Sequence, residues 1–212
     1  MITNNNFTIK ALCISLIIVI PITCSASANQ IEAMGKQIAE HGSNAIPACA
    51  ICHGAQGEGN LKAGYPKLAS VGAQYLQEQM NLYASGQRTN TIMQQYAAAL
   101  TTQQRMAVTT YYADLPARNL KPKDLGGVRV TQLLENGDPA RGLPSCFSCH
   151  GDRGEGSGSN FPPIAGEPAL YFIDQMNAWR TRARPVAEGD PMAIIAKTLN
   201  QAEIINLAHA LE

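Results

Sequence analysis

Two copies of one short pattern constrain this chain more than anything else in it. They are Cys49-Ala50-Ile51-Cys52-His53 and Cys146-Phe147-Ser148-Cys149-His150. Two thiols separated by two residues can each add to one vinyl group on the same porphyrin edge. The histidine that follows at once can then ligate iron from that side, so C-x-x-C-H points to covalently attached haem c. A single copy could also be a redox dithiol or half of a zinc site. Two copies 97 residues apart in a 212-residue chain demand more: the fold must build two similar pockets.

Other landmarks recur at nearly the same offset, as a true duplication requires. Gly54, Gly57 and Gly59 match Gly151, Gly154 and Gly156. Pro66-Lys67-Leu68-Ala69 matches Pro162-Pro163-Ile164-Ala165, and Tyr75, Gln79, Met80 and Asn81 match Tyr171, Gln175, Met176 and Asn177. Met93-Gln94-Gln95-Tyr96-Ala97 matches Met192-Ala193-Ile194-Ile195-Ala196. The glycine-rich loops lack the Lys-Ser/Thr of a phosphate loop, so turns with positive φ or a close approach to a porphyrin explain them better.

The first 28 residues read as an export leader. Lys10 is followed by an apolar run from Ala11 to Ile22 and by the small residues Ala26-Ser27-Ala28. That run is short of the ~20 residues of a membrane helix, although an uncleaved anchor is the alternative. A lipid attached at Cys24 is disfavoured by its neighbours Ile22 and Thr23. Cleavage after Ala28 removes Cys13 and Cys24 and leaves only the four motif cysteines, in an oxidising compartment. The implied localisation is periplasmic. Basic and acidic residues number sixteen each, so no nucleic-acid partner is implied. The remaining chain divides into residues 29–120 and 121–212, with the seam in Leu115–Asp124, which carries two prolines.

Helical spacing marks Ile31–Glu40, with Gly42 as a stop, and Tyr75–Ala84. Thr101 and Thr102 can cap a helix to Asp114, and Asn200 can cap Gln201–Leu211. No segment reads as a strand, so the fold class is all-α. Each half is expected to run helix, haem-binding turn, long loop, helix, ligand loop, helix.

Iron needs a second axial ligand, and two methionine pairs compete for the role. Met80 and Met176 lie in an apolar helical stripe, where methionine commonly fills a core. Met93 and Met192 follow polar, turn-prone stretches from which a loop can fold over the distal face. They are the favoured pair. His41 and His209 have no counterpart in the other half and read as exposed helix residues. A histidine ligand also needs its second ring N–H held, usually by a carbonyl or carboxylate. Pro66 and Pro162 stand 13 and 12 residues beyond the two histidines. Their carbonyls are candidates for this role, and plain loop stiffening is the competing reading.

These motifs together resemble the two-haem cytochrome c4 family, across essentially the whole chain after the leader. That family is built from two tandem class I cytochrome c domains, each a small helical fold around one covalently bound haem. The Pro66-Lys67-Leu68-Ala69 and Pro162-Pro163-Ile164-Ala165-Gly166 segments fit its P-x-L-A-G pattern, as Tyr75-Leu76 and Tyr171-Phe172 fit its Y-L helix. The resemblance implies two haem c groups attached through Cys49, Cys52, Cys146 and Cys149. It implies iron ligation by His53 with Met93 and by His150 with Met192, proline carbonyls on the histidines, and haems meeting across the domain interface through their propionate edges. Ser70 departs from the family glycine, and Tyr111 fits the family's late aromatic where Ala210 does not. Arg180, Arg182 and Arg184 in the second half stand against Arg88 alone at the matching positions of the first. They read as propionate ligands, a docking patch or a solvated basic helix end.

The implied function is single-electron transfer with no catalytic residue. One reading is a shuttle from a quinol-oxidising complex to a terminal oxidase or reductase, with peripheral membrane association compatible with it. The other is the di-haem subunit of a dehydrogenase complex, for example with a flavoprotein.

Overall fold

The computed structural model describes residues 27–116, 127–185 and 190–212. The expected leader up to residue 26 and most of the expected seam lie outside these residues. Ten α-helices are present among the described residues: α1 Ala28–His41, α2 Ala50–His53, α3 Ala73–Ala84, α4 Thr91–Ala99 and α5 Thr102–Asp114 in the first half, and α6 Val128–Glu135, α7 Phe147–His150, α8 Ala169–Thr181, α9 Pro191–Thr198 and α10 Gln201–Leu211 in the second. No strand occurs among them, only isolated bridges such as Asn60 with Tyr65 and Ser157 with Phe161.

Local chemistry sets most helix ends. Thr101 accepts the Gln104 N–H while the Gln104 side chain accepts from the Thr101 N–H, a reciprocal capping box. Asn200 and Glu203 do the same for α10. Ser27 and Gln30 form a third box, so α1 starts three residues before the apolar spacing indicates. The ligand loops expected before each last helix are instead the short helices α4 and α9. Asn90 Oδ1 accepts from the N–H groups of Ile92 and Met93, and Asp190 Oδ1 accepts from those of Met192 and Ala193. The polar residues read as loop-forming are N-caps, which is why the sequence looked irregular there.

Each half encloses its own core. Ile38, Val71, Leu76, Leu100, Val108 and Tyr112 pack in the first, and Val130, Leu134, Met176, Ile204, Leu207 and Leu211 in the second. In the first half α1 crosses α5 at Gly35, where a Cβ would stand 2.2 Å from the Ala107 carbonyl oxygen. The crossing therefore admits no side chain at that point.

The two halves meet through a nearly symmetric exchange of arginines. Arg88 donates to Gln79 in its own half (2.8 Å), and to the Tyr171 hydroxyl (3.0 Å) and Gln175 (2.5 Å) in the other. Arg184 donates to Gln175 in its own half (3.1 Å), and to the Tyr75 hydroxyl (2.6 Å) and Gln79 (3.1 Å) across the seam. Each guanidinium also lies over an aromatic ring of its own half, Arg88 at 4.5 Å from Tyr83 and Arg184 at 4.1 Å from Trp179. Arg184 is thus the partner of Arg88 at the repeat offset, and neither is a solvated helix end. Arg180 is not one either: its guanidinium holds the carbonyls of Ala196 and Leu199. Arg182 alone of the three is exposed. No described helix is long and apolar enough to cross a membrane.

Candidate haem-attachment sites

Both C-x-x-C-H units form one turn of helix, α2 and α7, and each ends at a glycine with φ near +85°. That turn sets both thiols and the imidazole on one side. The chain then doubles back in a loop pinned by its own backbone. Gly59 N–H bonds the His53 carbonyl, and the N–H groups of Leu68 and Ala69 bond the Gly57 carbonyl. Gly156, Ile164 and Ala165 repeat these bonds to His150 and Gly154. All six loop glycines have positive φ, so the turn geometry read from the sequence is present.

The pinned loop delivers a carbonyl to each histidine. Pro66 C=O accepts from His53 Nδ1–H at 2.8 Å, and Pro162 C=O accepts from His150 Nδ1–H at 2.6 Å. A carbonyl can only accept, so the proton sits on Nδ1 and the Nε2 lone pair is free. Burial pushes both histidines below the ordinary imidazole range, against the opposing pull of the proline carbonyls. Both are neutral near pH 7, the form that binds a metal. Tyr65 and Phe161 close the same side, with ring centroids 6.1 Å and 6.3 Å from the two imidazoles.

Among the described residues no disulfide joins the four motif cysteines, and all four are half-buried. Burial raises Cys49 and Cys146 to about 11. Met93 and Met192 stand in the first turns of α4 and α9, half-buried. Met176 is fully buried in the second core and Met80 packs against the first. His41 and His209 are exposed.

The interface bears on the cofactor as well. Arg88 and Arg184 are 4% and 5% exposed, and their hydrogen-bond partners among the described residues are neutral amides and phenols. Two buried cations so close together call for anions. The propionate carboxylates that haem brings fit that need, as neutral, oriented imidazoles fit its iron and the two pairs of cysteines fit its vinyl groups.

Three features escaped the sequence reading, two of which the repeat carried. Tyr65-Pro66 and Phe161-Pro162 are matching aromatic–proline pairs. Arg88 and Arg184 stand at the offset of the tyrosines they bind. The third, Lys67 with Glu167, is asymmetric, and no repeat could reveal it.

An all-α chain with two such sites is a di-haem c-type cytochrome, an electron-transfer protein. The cytochrome c family profile matches residues 33–125. Among curated relatives, the thiosulfate dehydrogenase electron acceptor of Stutzerimonas stutzeri is 38% identical over 164 residues, covering 76% of each chain. Cytochrome c4 of Azotobacter vinelandii is 34% identical, covering 85% of this chain and 90% of that protein. The structure of thiosulfate dehydrogenase TsdBA from Marichromatium purpuratum superposes with a TM-score of 0.77 at 37% identity. That match covers 84% of this chain but only 39% of the TsdBA chain. Reduced cytochrome c4 from Pseudomonas stutzeri superposes at 0.71, with 24% identity and 98% of its chain covered, which supports the fold alone. The chain belongs to the di-haem cytochrome c4-like family.

Proposed function

We propose that this chain is the electron-accepting di-haem partner of a dehydrogenase that oxidises thiosulfate or a similar sulfur anion. The observation carrying this reading is its 38% identity, over 76% of both chains, to a protein named for accepting electrons from thiosulfate dehydrogenase. The likeness to TsdBA points the same way. Of the two roles implied by the sequence, the dehydrogenase-associated one is therefore better supported than the shuttle between a quinol-oxidising complex and an oxidase. The donor changes too, from a flavoprotein to a thiosulfate dehydrogenase.

In this reading Cys49 and Cys52 hold one haem c, and Cys146 and Cys149 the other. His53 and His150 would ligate iron through Nε2, Met93 and Met192 would each supply a further ligand, and Arg88 with Arg184 would hold propionates at the seam. Bound there, the haems supply one-electron exchange. The proline carbonyls keep each imidazole oriented, and a thioether ligand would favour ferrous iron and a raised potential. Met93→Ala and Met192→Ala should each remove about half of the far-red thioether–ferric absorption. Met80→Ala and Met176→Ala should leave it whole. The working protein follows a leader of residues 1–28, whose removal takes the Ser27 cap from α1, consists of domains 29–120 and 121–212, and acts in the periplasm. Mass spectrometry should find two haems on a chain beginning near Asn29.

Stopped-flow mixing with a thiosulfate dehydrogenase tests the partner. Thiosulfate should reduce the haems rapidly when the dehydrogenase is present and not when the chain is alone. Sustained thiosulfate turnover by the isolated chain would overturn the carrier role. Reduction by a quinol-oxidising complex, but not by the dehydrogenase, would restore the shuttle.

A further inference from the structure

The two proximal histidines are held alike, yet the peptide holding them differs. The carbonyl that accepts from His53 belongs to the Pro66–Lys67 peptide, whose N–H donates across the seam to Glu167 Oε2 at 3.4 Å. One amide therefore joins a carboxylate of the second half to the imidazole of the first. Lys67 Nζ donates to the Ala165 carbonyl at 2.5 Å and fixes this peptide against the second half. At the other site the matching peptide is Pro162–Pro163, and Pro163 has no N–H to donate. The position matching Glu167 in the first half is Val71, a core residue.

We propose that Glu167 is a positioning residue for the first haem site, setting its electron affinity through the Lys67 N–H, the Pro66 carbonyl and His53, while the second site lacks this control. An ionised Glu167 draws on the Lys67 N–H and makes the Pro66 carbonyl a stronger acceptor. The His53 ring then becomes more electron-rich and favours ferric iron. A neutral carboxyl withdraws that support.

Glu167 is poised to switch between the two forms. It is 7% exposed, and burial raises its carboxyl to about 8 although Lys67 opposes the shift. Lys67 is the charge that bears on it from the first half. From the second half, the Glu212 carboxylate accepts from the N–H of Ala169, two residues along the chain from Glu167. As pH rises through the Glu167 range, the first haem should lose electron affinity and the second should not.

The inference rests on His53 ligating the first iron, so its test must separate the two claims. Proton NMR of the ferric holoprotein reads ligation directly, through the hyperfine-shifted ring signals of the proximal histidines. A redox titration followed on the haem methyl signals then gives each haem's potential between pH 6 and 9. In the wild type the first haem's electron affinity should fall about tenfold across that range, or ~59 mV for one electron. Glu167→Gln keeps the shape without the charge, and should hold the first haem at its low-pH value throughout. Lys67→Met removes the ammonium but keeps the peptide N–H, so the pH response should persist and move to higher pH. A Glu167→Gln protein with full haem content and an unchanged first-haem profile would overturn the proposal. Equal pH responses at both haems would also overturn it. Absence of shifted His53 ring signals in the wild type would refute the ligand assignment instead.

Discussion

The two halves place the same atoms around their histidines and hold them there with different residues. At the last helix junction the carbonyls of Ala97 and Leu100 are bound by Arg105, which projects from α5. The matching carbonyls of Ala196 and Leu199 are bound by Arg180, which projects from α8. A cation at exposed helix-end carbonyls is needed in both places, but not from a given helix. The first helix of each half shows the same freedom. In the first half α1 is fixed by close contact at Gly35. In the second, α6 is tied through Arg129, which pairs with Asp138 (2.7 Å) and Glu203 (2.8 Å), while Arg141 binds the same two carboxylates. The positions matching Asp138 and Glu203 in the first half are His41 and Gln104, so that network cannot form there. What persisted through duplication is the geometry at the cofactor, and what diverged is its support.

The sharpest way to break the comparison is Gly35→Ala. The new Cβ would press on the Ala107 backbone, which cannot move aside as a side chain can. The first half should lose about 3 kcal/mol, while the second keeps its stability. Urea unfolding followed separately at the two haems would read this. Equal loss in both halves would mean that they do not unfold independently.

Acid should attack the other half. The Arg141 and Arg129 guanidinium groups and the Asn200 N–H draw Glu203 down to about 2, against its burial. A carboxylate with a lowered folded value stabilises above its unfolded value near 4.5, and that support is lost as pH falls from there towards 2. The second half should therefore weaken in that window. Glu203→Gln should flatten the response and cost about 1–2 kcal/mol at neutral pH, because several charges share the network.

A smaller effect should run in the stabilising direction. Ser70 has φ +62° at the position where the second half has Gly166 at +74°, and each donates its N–H to the last helix, to Tyr112 and Leu211. Ser70→Gly should stabilise the first half by about 1 kcal/mol in the same unfolding experiment. A loss instead would show that the serine side chain has a use the backbone does not reveal.

The smallest effect concerns Tyr112, whose hydroxyl is buried with no hydrogen-bond partner among the described residues, where the second half has Leu211. Tyr112→Phe should be neutral or stabilise by up to about 1 kcal/mol, since no bond is lost with the oxygen. Marked destabilisation would show that the hydroxyl is satisfied once haem is bound.

The sequence alone determined whatever repeats or is local. Two C-x-x-C-H units at one offset required two haem sites. The Thr101 and Asn200 caps marked α5 and α10, and the similar spacing of Pro66 and Pro162 from the histidines made their carbonyls candidates, with loop stiffening as the rival reading. Capping, turn glycines and short loops act between residues close in the chain, so their chemistry can be read along it. Tertiary structure decided what depends on distant partners. Arg184 looked like a basic helix end because its partners, Tyr75 and Gln79, lie more than a hundred residues away. The polar stretch before Met93 looked like loop because capping residues and loop residues are the same types. Glu167 in a surface-like G-E-P turn carried no sign that folding would bury it beside the Lys67 amide. A buried charge takes its meaning from what surrounds it, and here the other half of the molecule supplies those surroundings.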